Sequence, residues 1–137
     1  MSAYTTLQTR LVSADHLAMA LRDLGLAGAE LHEAGTALVG WLGDRRAERA
    51  EVVVRREHLT DSSNDIGFAR GPDGTFVALI SEYDREHCGY DDAWLERLTQ
   101  RYAYHVARGQ LEERGFDLVE ESVDADDTIR LVLRRSA

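Results

Sequence analysis

The adjacent pair His87-Cys88 is one of the few places in this chain where residue types alone suggest chemistry. A thiol beside an imidazole, just before a predicted helix N-terminus, has the makings of a nucleophile and its base. Neighbours in sequence seldom orient each other for that work, because nucleophile and base must meet side chain to side chain. We therefore expect Cys88 to be an ordinary loop cysteine, and we assign no catalytic residue.

Side chains of the types that bind zinc or iron are scattered through the middle of the chain. They are His58, Asp61, Asp65, His87, Cys88 and Asp91. Their spacing matches neither a knuckle of paired ligands nor a helical His-Glu-x-x-His motif. Solvated polar loops commonly contain such residues, so the sequence predicts no metal site and no cofactor.

Four polar or aromatic residues follow each other closely on a predicted helix: Arg101, Tyr102, Tyr104 and His105. Helical spacing sends Tyr102 and His105 toward a sheet, while the other two point elsewhere. Buried tyrosine and histidine need partners for their polar tips, and Asp65 is the acid we expect them to meet. Asp65, Tyr102 and His105 therefore predict either a polar pocket for proton transfer or, in preference, a network that fixes the helix on the sheet.

The basic residues cluster in one segment, whose arginines alternate with Glu48, Glu51 and Glu57. These arginines are Arg45, Arg46, Arg49, Arg55 and Arg56. Such interleaved charges usually form a solvated face, but the planar guanidinium group also suits the carboxylates or phosphates of a partner. We take this segment as the candidate partner-binding surface. It lacks the interleaved aromatic residues that stack on bases, so we expect no nucleic acid there.

Composition limits the classes of protein further. The 137 residues include 25 acids against 16 bases, and all 16 bases are arginine, so the chain has no lysine. Coding bias and a functional exclusion of lysine both account for that absence. The net charge of −9 opposes a general affinity for nucleic acid. Without a long apolar run or an export signal, and with a single cysteine, the chain is expected to be cytoplasmic and not to enter a membrane.

The elements that must position these residues begin with a strand over residues 4–12. Ser13 then has the chemistry of an N-cap, and the helix at about 14–24 carries an apolar stripe that ends before Gly25. Two short strands, 29–33 and 36–42, read as a hairpin around Ala34-Gly35. Residues 44–51 read as a charged connector to a β-branched strand at 52–54.

The second half of the chain contains the clearest hairpin, with arms 64–70 and 75–81 around Gly71-Pro72-Asp73-Gly74. Residues 82–90 read as an exposed loop, and a long helix follows at about 91–114. Strands 116–123 and 128–135 are joined by an acidic turn at 124–127. These elements predict an α+β fold, a single antiparallel sheet with both helices packed on one face, in one domain over residues 1–137.

Several motifs, taken together, resemble a known family. They are Asn64-Asp65-Ile66-Gly67-Phe68, the hairpin after it, Gln100-Arg101-Tyr102-Ala103-Tyr104-His105, Gly115-Phe116 and Arg130-Leu131-Val132-Leu133-Arg134-Arg135. The combination resembles the hypothetical chloroplast reading frame thirty-five family, a domain-of-unknown-function family of plastids, cyanobacteria and other bacteria. The resemblance implies a small soluble protein without an established activity, and it hints at partnership with an ATPase of the AAA type.

Two functions fit these observations. The first is a non-catalytic adaptor or subunit of a protein complex, acting with an AAA-type ATPase. The alternative is a small enzyme or ligand-binding protein with a polar pocket around Asp65, Tyr102 and His105. The chain lacks a nucleophile elbow, a phosphate-binding loop and a metal motif, so we expect the adaptor.

Overall fold

The structure, a computed structural model that describes residues 2–126 and 128–135, places five strands in one antiparallel sheet. They are β1 (Tyr4–Gln8), β2 (Glu30–Val39), β3 (Arg45–Val54), β4 (Ile66–Arg70) and β5 (Phe76–Ser81). Their order across the sheet is β1-β5-β4-β3-β2, so β1 and β2 form its edges. The helices are α1 (Ala14–Asp23), α2 (Glu82–His87) and α3 (Asp92–Glu113), with a 3₁₀ turn at Arg56–His58.

Two further strands, β6 (Phe116–Val123) and β7 (Ile129–Arg135), form a separate antiparallel pair. The predicted α+β class and the pairing of these two strands are therefore confirmed. They do not join the five-stranded sheet, and β6 packs on α3 instead. Asp127, in the predicted acidic turn, lies outside the described residues.

Helices α1 and α3 both pack on one face of the five-stranded sheet, as predicted. There α1 buries Leu17 and Leu21, α3 buries Trp94 and Leu98, and the sheet contributes Phe68 among others. The apolar stripe of α1 explains this burial. Ser13 starts α1 as predicted, because its hydroxyl accepts a hydrogen bond from the backbone amide of His16 at 3.2 Å.

The opposite face of the sheet is covered by the far half of the β2–β3 hairpin, which bends back over it. Leu38, Ala50, Val53 and Leu79 form a second buried cluster there. Gly67 of β4 lies beneath this cluster. A Cβ on Gly67 would lie 2.7 Å from the Cβ of Ala50, so only glycine lets the hairpin approach this closely.

The prediction for residues 29–51 is wrong in two respects. Residues 30–39 form the single strand β2, and the predicted turn at Ala34-Gly35 is a bulge in which Gly35 has a positive φ of 76°. The reversal lies between Gly40 and Asp44, closed by a backbone hydrogen bond of 2.8 Å. The predicted charged connector at 44–51 is mostly strand β3, in which the exposed Arg45 and Arg49 alternate with the half-buried Arg46 and Glu48.

The segment predicted as an exposed loop, residues 82–90, contains the short helix α2 instead. Ser81 caps it by accepting a hydrogen bond from the backbone amide of Asp84. Asp84 is fully buried, and its carboxylate accepts a hydrogen bond of 2.7 Å from the same serine hydroxyl. No helix within residues 2–126 and 128–135 is long and apolar enough to cross a membrane.

Candidate functional site

Asp65, the acid expected in a pocket with Tyr102 and His105, lies at the start of β4 and is fully buried. Its carboxylate accepts hydrogen bonds from the guanidinium of Arg55 at 2.9 Å and from the backbone amides of Val39 and Arg56 at 2.8 and 2.7 Å. Burial acts to lower the pKa of Arg55, but hydrogen bonds to Asp65 and Glu30 outweigh it and raise that pKa. Asp65 thus links the end of β2, at Val39, to the residues that follow β3, Arg55 and Arg56.

Tyr102 and His105 lie elsewhere, between α3 and α1. The hydroxyl of Tyr102 accepts hydrogen bonds from the amides of Val12 and Ser13, just before α1. The Nε2 of His105 lies 2.6 Å from a carboxylate oxygen of Asp23, at the end of α1. Asp65 therefore belongs to a different group of contacts, and the acid that His105 meets is on a helix and not on the sheet.

The arginines predicted as one partner-binding surface are distributed over several internal contacts. Arg55 binds Asp65 as described, and Arg56 donates to the carbonyl oxygens of Asp61 and Ser63. Three others belong to β3. Arg46 donates to the carbonyl of Ser2 and lies over the Tyr4 ring, Arg49 donates to the carbonyl of Gly35, and Arg45 is exposed. Four of these five arginines therefore have partners within the chain.

Cys88 and His87 do not face each other. The Sγ of Cys88 lies 3.6 Å from the hydroxyl of Thr60, whereas the ring of His87 packs against the ring of Tyr83 at a centroid distance of 5.0 Å. Across residues 2–126 and 128–135, no three His, Cys, Asp or Glu side chains converge in a way that could hold a metal ion.

A polar cluster that the sequence did not single out joins α1, α3 and β6. Arg101 donates to Asp23 at 2.8 Å and to Glu121 at 3.3 Å, and the hydroxyl of Tyr104 donates to Glu121 at 2.8 Å. Burial acts to raise the pKa of Asp23, but hydrogen bonds from Arg101 and His105 outweigh it and lower that pKa. Burial raises the pKa of Tyr104, and its bond to Glu121 adds to the effect.

Sequence reasoning missed this cluster because its acids are far from its bases in the chain. Arg101 and Tyr104 were expected on faces without a role, although Tyr104 is the more deeply buried of the helix's two tyrosines. One available signal was the row Arg101, Tyr104, His105 and Arg108, whose i, i+3, i+4 and i+7 spacing defines one side of α3.

The pair β6–β7 is the least covered part of the described chain. Every described residue in it is half-buried or exposed, and Val119, Val123 and Val132 are about half exposed. Its half-buried face carries a row of apolar side chains: Phe116, Leu118, Ile129, Leu131 and Leu133. A two-stranded sheet with one apolar face is marginal alone, and here its main contact runs from β6 to α3.

Among the described residues each strand of this pair is paired on one side only, so both of its outer edges are open. Exposed edges and a partly covered apolar face are features that a protein partner can use through strand addition. Strand β7 also carries the exposed residues Arg130, Arg134 and Arg135, whereas β6 carries Asp117 and Glu120. Arg130 pairs with Asp124 at 3.2 Å and Arg134 lies opposite Asp117, while Arg135 covers the ring of Phe116 on the other face.

Comparison with known proteins places the chain among uncharacterised sequences. The model of a family described as "Protein of unknown function (DUF1257)" matches residues 20–132. A protein of Cyanophora paradoxa called "Uncharacterized protein ycf35" is 25% identical over 136 residues, which cover 98% of each chain. One of the same name from Pyropia yezoensis is 23% identical over 135 residues, again covering 98% of each. No solved structure matches.

Proposed function

The chain belongs to the DUF1257 family of unknown function, and we propose that it is a non-catalytic adaptor that binds an acidic, extended segment of another protein along β7. This membership agrees with the resemblance inferred from the sequence motifs, since the relatives carry the name ycf35. The observation that carries the proposal is the β6–β7 pair itself, a two-stranded sheet with open edges and no fully buried residue among those described.

Leaving this pair uncovered exposes apolar surface to water. Side chains such as Leu131 and Leu133 are only half-buried, so covering them stabilises a complex. The unpaired amides and carbonyls along β7 can form hydrogen bonds with an added strand. An added strand would therefore both cover apolar side chains and pair the free backbone groups of β7.

The charges favour a different protein over a second copy of this one. Pairing two β7 edges in antiparallel register would bring arginines of one copy near arginines of the other, which is unfavourable. An acidic segment instead places opposite charges beside Arg130 and Arg134, and exposed rim charges of this kind guide encounter and orientation more than they add affinity.

The first partner to test is an AAA-type ATPase from the same cell, the partner that the family resemblance suggests. We place this binding in the cytoplasm, a reducing compartment that suits a single cysteine. The alternative function, a pocket formed jointly by Asp65, Tyr102 and His105, is weakened because Asp65 has its own buried partners.

Binding to the purified ATPase tests the proposal directly. Because the chain has no lysine, amine coupling attaches it to a sensor surface through its N-terminus alone and leaves β7 free. We expect the double variant Arg130→Glu with Arg134→Glu to bind at least about tenfold more weakly. The matched control, Arg10→Glu with Arg97→Glu, reverses two exposed arginines elsewhere and should bind like the original chain.

A photo-crosslinking residue locates the contact independently. Placed at Val132, 49% exposed on β7, it should crosslink to the partner, whereas at Val12, 51% exposed beside α1, it should not. Equal crosslinking from both positions, or equal binding of both double variants, rejects β7 as the interface. Failure of the ATPase to bind at all rejects that partner, and the same variants then test segments recovered from the native host.

A further inference from the structure

A groove of about 400 Å³ runs between α1 and α3, on the side that carries His16, Arg22 and Asp23 of α1 and His105 and Arg108 of α3. A groove of this volume accommodates a small molecule. It does not involve β7, so the inference drawn from it is independent of the proposed protein interface.

Gly109 forms part of the groove wall within α3, where a glycine lowers helix stability by roughly 1 kcal/mol relative to alanine. The packing of the two helices does not require it. The nearest atom to an added Cβ would be the Nε2 of His16 at 3.7 Å, an ordinary contact distance. The missing side chain therefore serves to keep the groove open in front of His16.

The ring of His16 directs a hydrogen-bond donor toward that space. Its Nδ1 is buried without a partner in the described part of the chain, while its Nε2 faces Gly109. A neutral imidazole carries one proton, and a buried N–H without an acceptor is strongly disfavoured. For a neutral ring we therefore assign the proton to Nε2, where an acceptor in the groove can reach it. Tyr102, whose ring meets that of His16 edge to face, holds the imidazole in place.

The acids that line the groove already have partners. Asp23 accepts hydrogen bonds from Arg101 and His105, and Glu112 pairs with Arg108 at 2.8 Å. Arg22 lines the same groove and, within residues 2–126 and 128–135, forms no ion pair. Arg22, without an ion pair, and His16 thus line the same groove in a protein of net charge −9.

We propose that this groove binds a small molecule through an anionic oxygen group, a carboxylate or a phosphate, held by the guanidinium of Arg22 and the Nε2–H of His16. Both groups donate hydrogen bonds, and a guanidinium matches the paired oxygens of either anion. The space left by Gly109 receives the group.

The test is a titration of the full chain with inorganic phosphate and, separately, with citrate, followed by the NMR signals of the histidine rings. Sodium chloride at matched ionic strength corrects for screening. We expect a saturable shift of the His16 signals with one probe or both. Saturation with phosphate alone identifies a phosphate group as the ligand, and saturation with citrate alone identifies a carboxylate.

Three variants make the test specific. Arg22→Gln should weaken binding by about tenfold through loss of the charged donor. Gly109→Ala should abolish binding while raising the melting temperature, because alanine favours the helix and occupies the space. Arg97→Gln, on the same helix but away from the groove, should bind like the original chain. Absence of saturation with both probes, or unchanged binding by Gly109→Ala, overturns the proposal.

Discussion

The buried carboxylate of Asp65 lies 2.9 Å from the guanidinium of Arg55, at the point where the β2–β3 hairpin returns to the five-stranded sheet. The side chain of Arg55 is 20% exposed, so the pair is shielded from water largely on the carboxylate side. Two backbone amides, of Val39 and Arg56, complete the set of donors around this carboxylate. A single residue thus fixes both ends of the chain segment that covers the second face of the sheet.

We expect Asp65→Asn to lower the free energy of unfolding by about 3 kcal/mol, because it removes the charge that compensates Arg55 and turns an acceptor into a donor facing donors. Urea denaturation should show a lower midpoint with an unchanged slope. Asp61→Asn is the matched control, since Asp61 is exposed and should change stability by no more than about 0.5 kcal/mol. Equal stability of the two variants would show that Asp65 does not anchor the hairpin.

Gly67→Ala tests the close approach of the hairpin to β4. The new Cβ would lie 2.7 Å from the Cβ of Ala50 and 2.9 Å from Leu38, so the hairpin must move away. We expect a loss of about 3 kcal/mol, at the upper end for overpacking a core. Adding Ala50→Gly to the variant removes the nearer clash and should recover part of the loss. A thermal melt of the two variants measures both effects, and no recovery would place the strain elsewhere.

The sequence predicted those parts of the fold in which local pattern and tertiary environment agree. The apolar stripe of α1 and the Pro-Gly turn before β5 are determined within a few residues, and both were located correctly. Residues 44–51 were predicted to be a connector because their charged composition is typical of a loop. Their assignment to strand β3 depends on pairing with β2, which the sequence does not show. Gly35 was predicted to lie in a turn. Glycine adopts the positive φ found at Gly35 in turns and in bulges alike, and the sequence does not distinguish the two.

The candidate site was less predictable than the fold for a related reason. Asp65 is buried, as the predicted network required. Its partner Arg55 was assigned to a surface, because the strand pairing that brings Arg55 to Asp65 is not visible in the sequence. The contact between Asp23 and Arg101 spans 78 residues, and no local pattern encodes it. Open strand edges are also invisible in a single sequence, since every strand carries the same backbone groups.

The ion pairs of Asp23 predict how stability depends on pH at the acid end. The pKa of Asp23 is lowered below its ordinary value of 3.8 in the folded chain, so the charged form is favoured by folding. Its contribution is therefore complete above the unfolded pKa and is lost as the pH falls through the lowered folded pKa. We expect Asp23→Asn to lower the melting temperature at pH 7. Below about pH 4, the melting temperature of this variant should fall less steeply with pH than that of the original chain.

Thermal melts from pH 7 down to pH 2.5 measure this effect. The comparison is Asp15→Asn, since Asp15 is an exposed acid on the same helix. That variant should have the melting temperature of the original chain at pH 7 and the same steep fall of melting temperature at acid pH. If the Asp23 variant and the original chain lost stability in parallel, the pairs with Arg101 and His105 would contribute nothing measurable to folding.

Removing β6 and β7 separates the folding of the domain from the proposed binding surface. All of the buried residues in the described part of the chain precede Gly115, and the last of them is Tyr104, 6% exposed. A chain ending at Arg114 should therefore unfold cooperatively, with a loss of about 2 kcal/mol from exposing Tyr104 and its neighbours on α3.

Near-ultraviolet circular dichroism and a urea titration test that chain, and partner binding tests the surface. We expect the shortened chain to keep its tertiary signal and lose the partner, whereas Arg130→Glu with Arg134→Glu should lose the partner with stability nearly unchanged. The two results together distinguish a surface that binds from one that supports the core, because only a core element would abolish cooperativity when removed. Non-cooperative unfolding of the shortened chain would show that β6 and β7 belong to the core. Their partial exposure would then no longer indicate a binding surface.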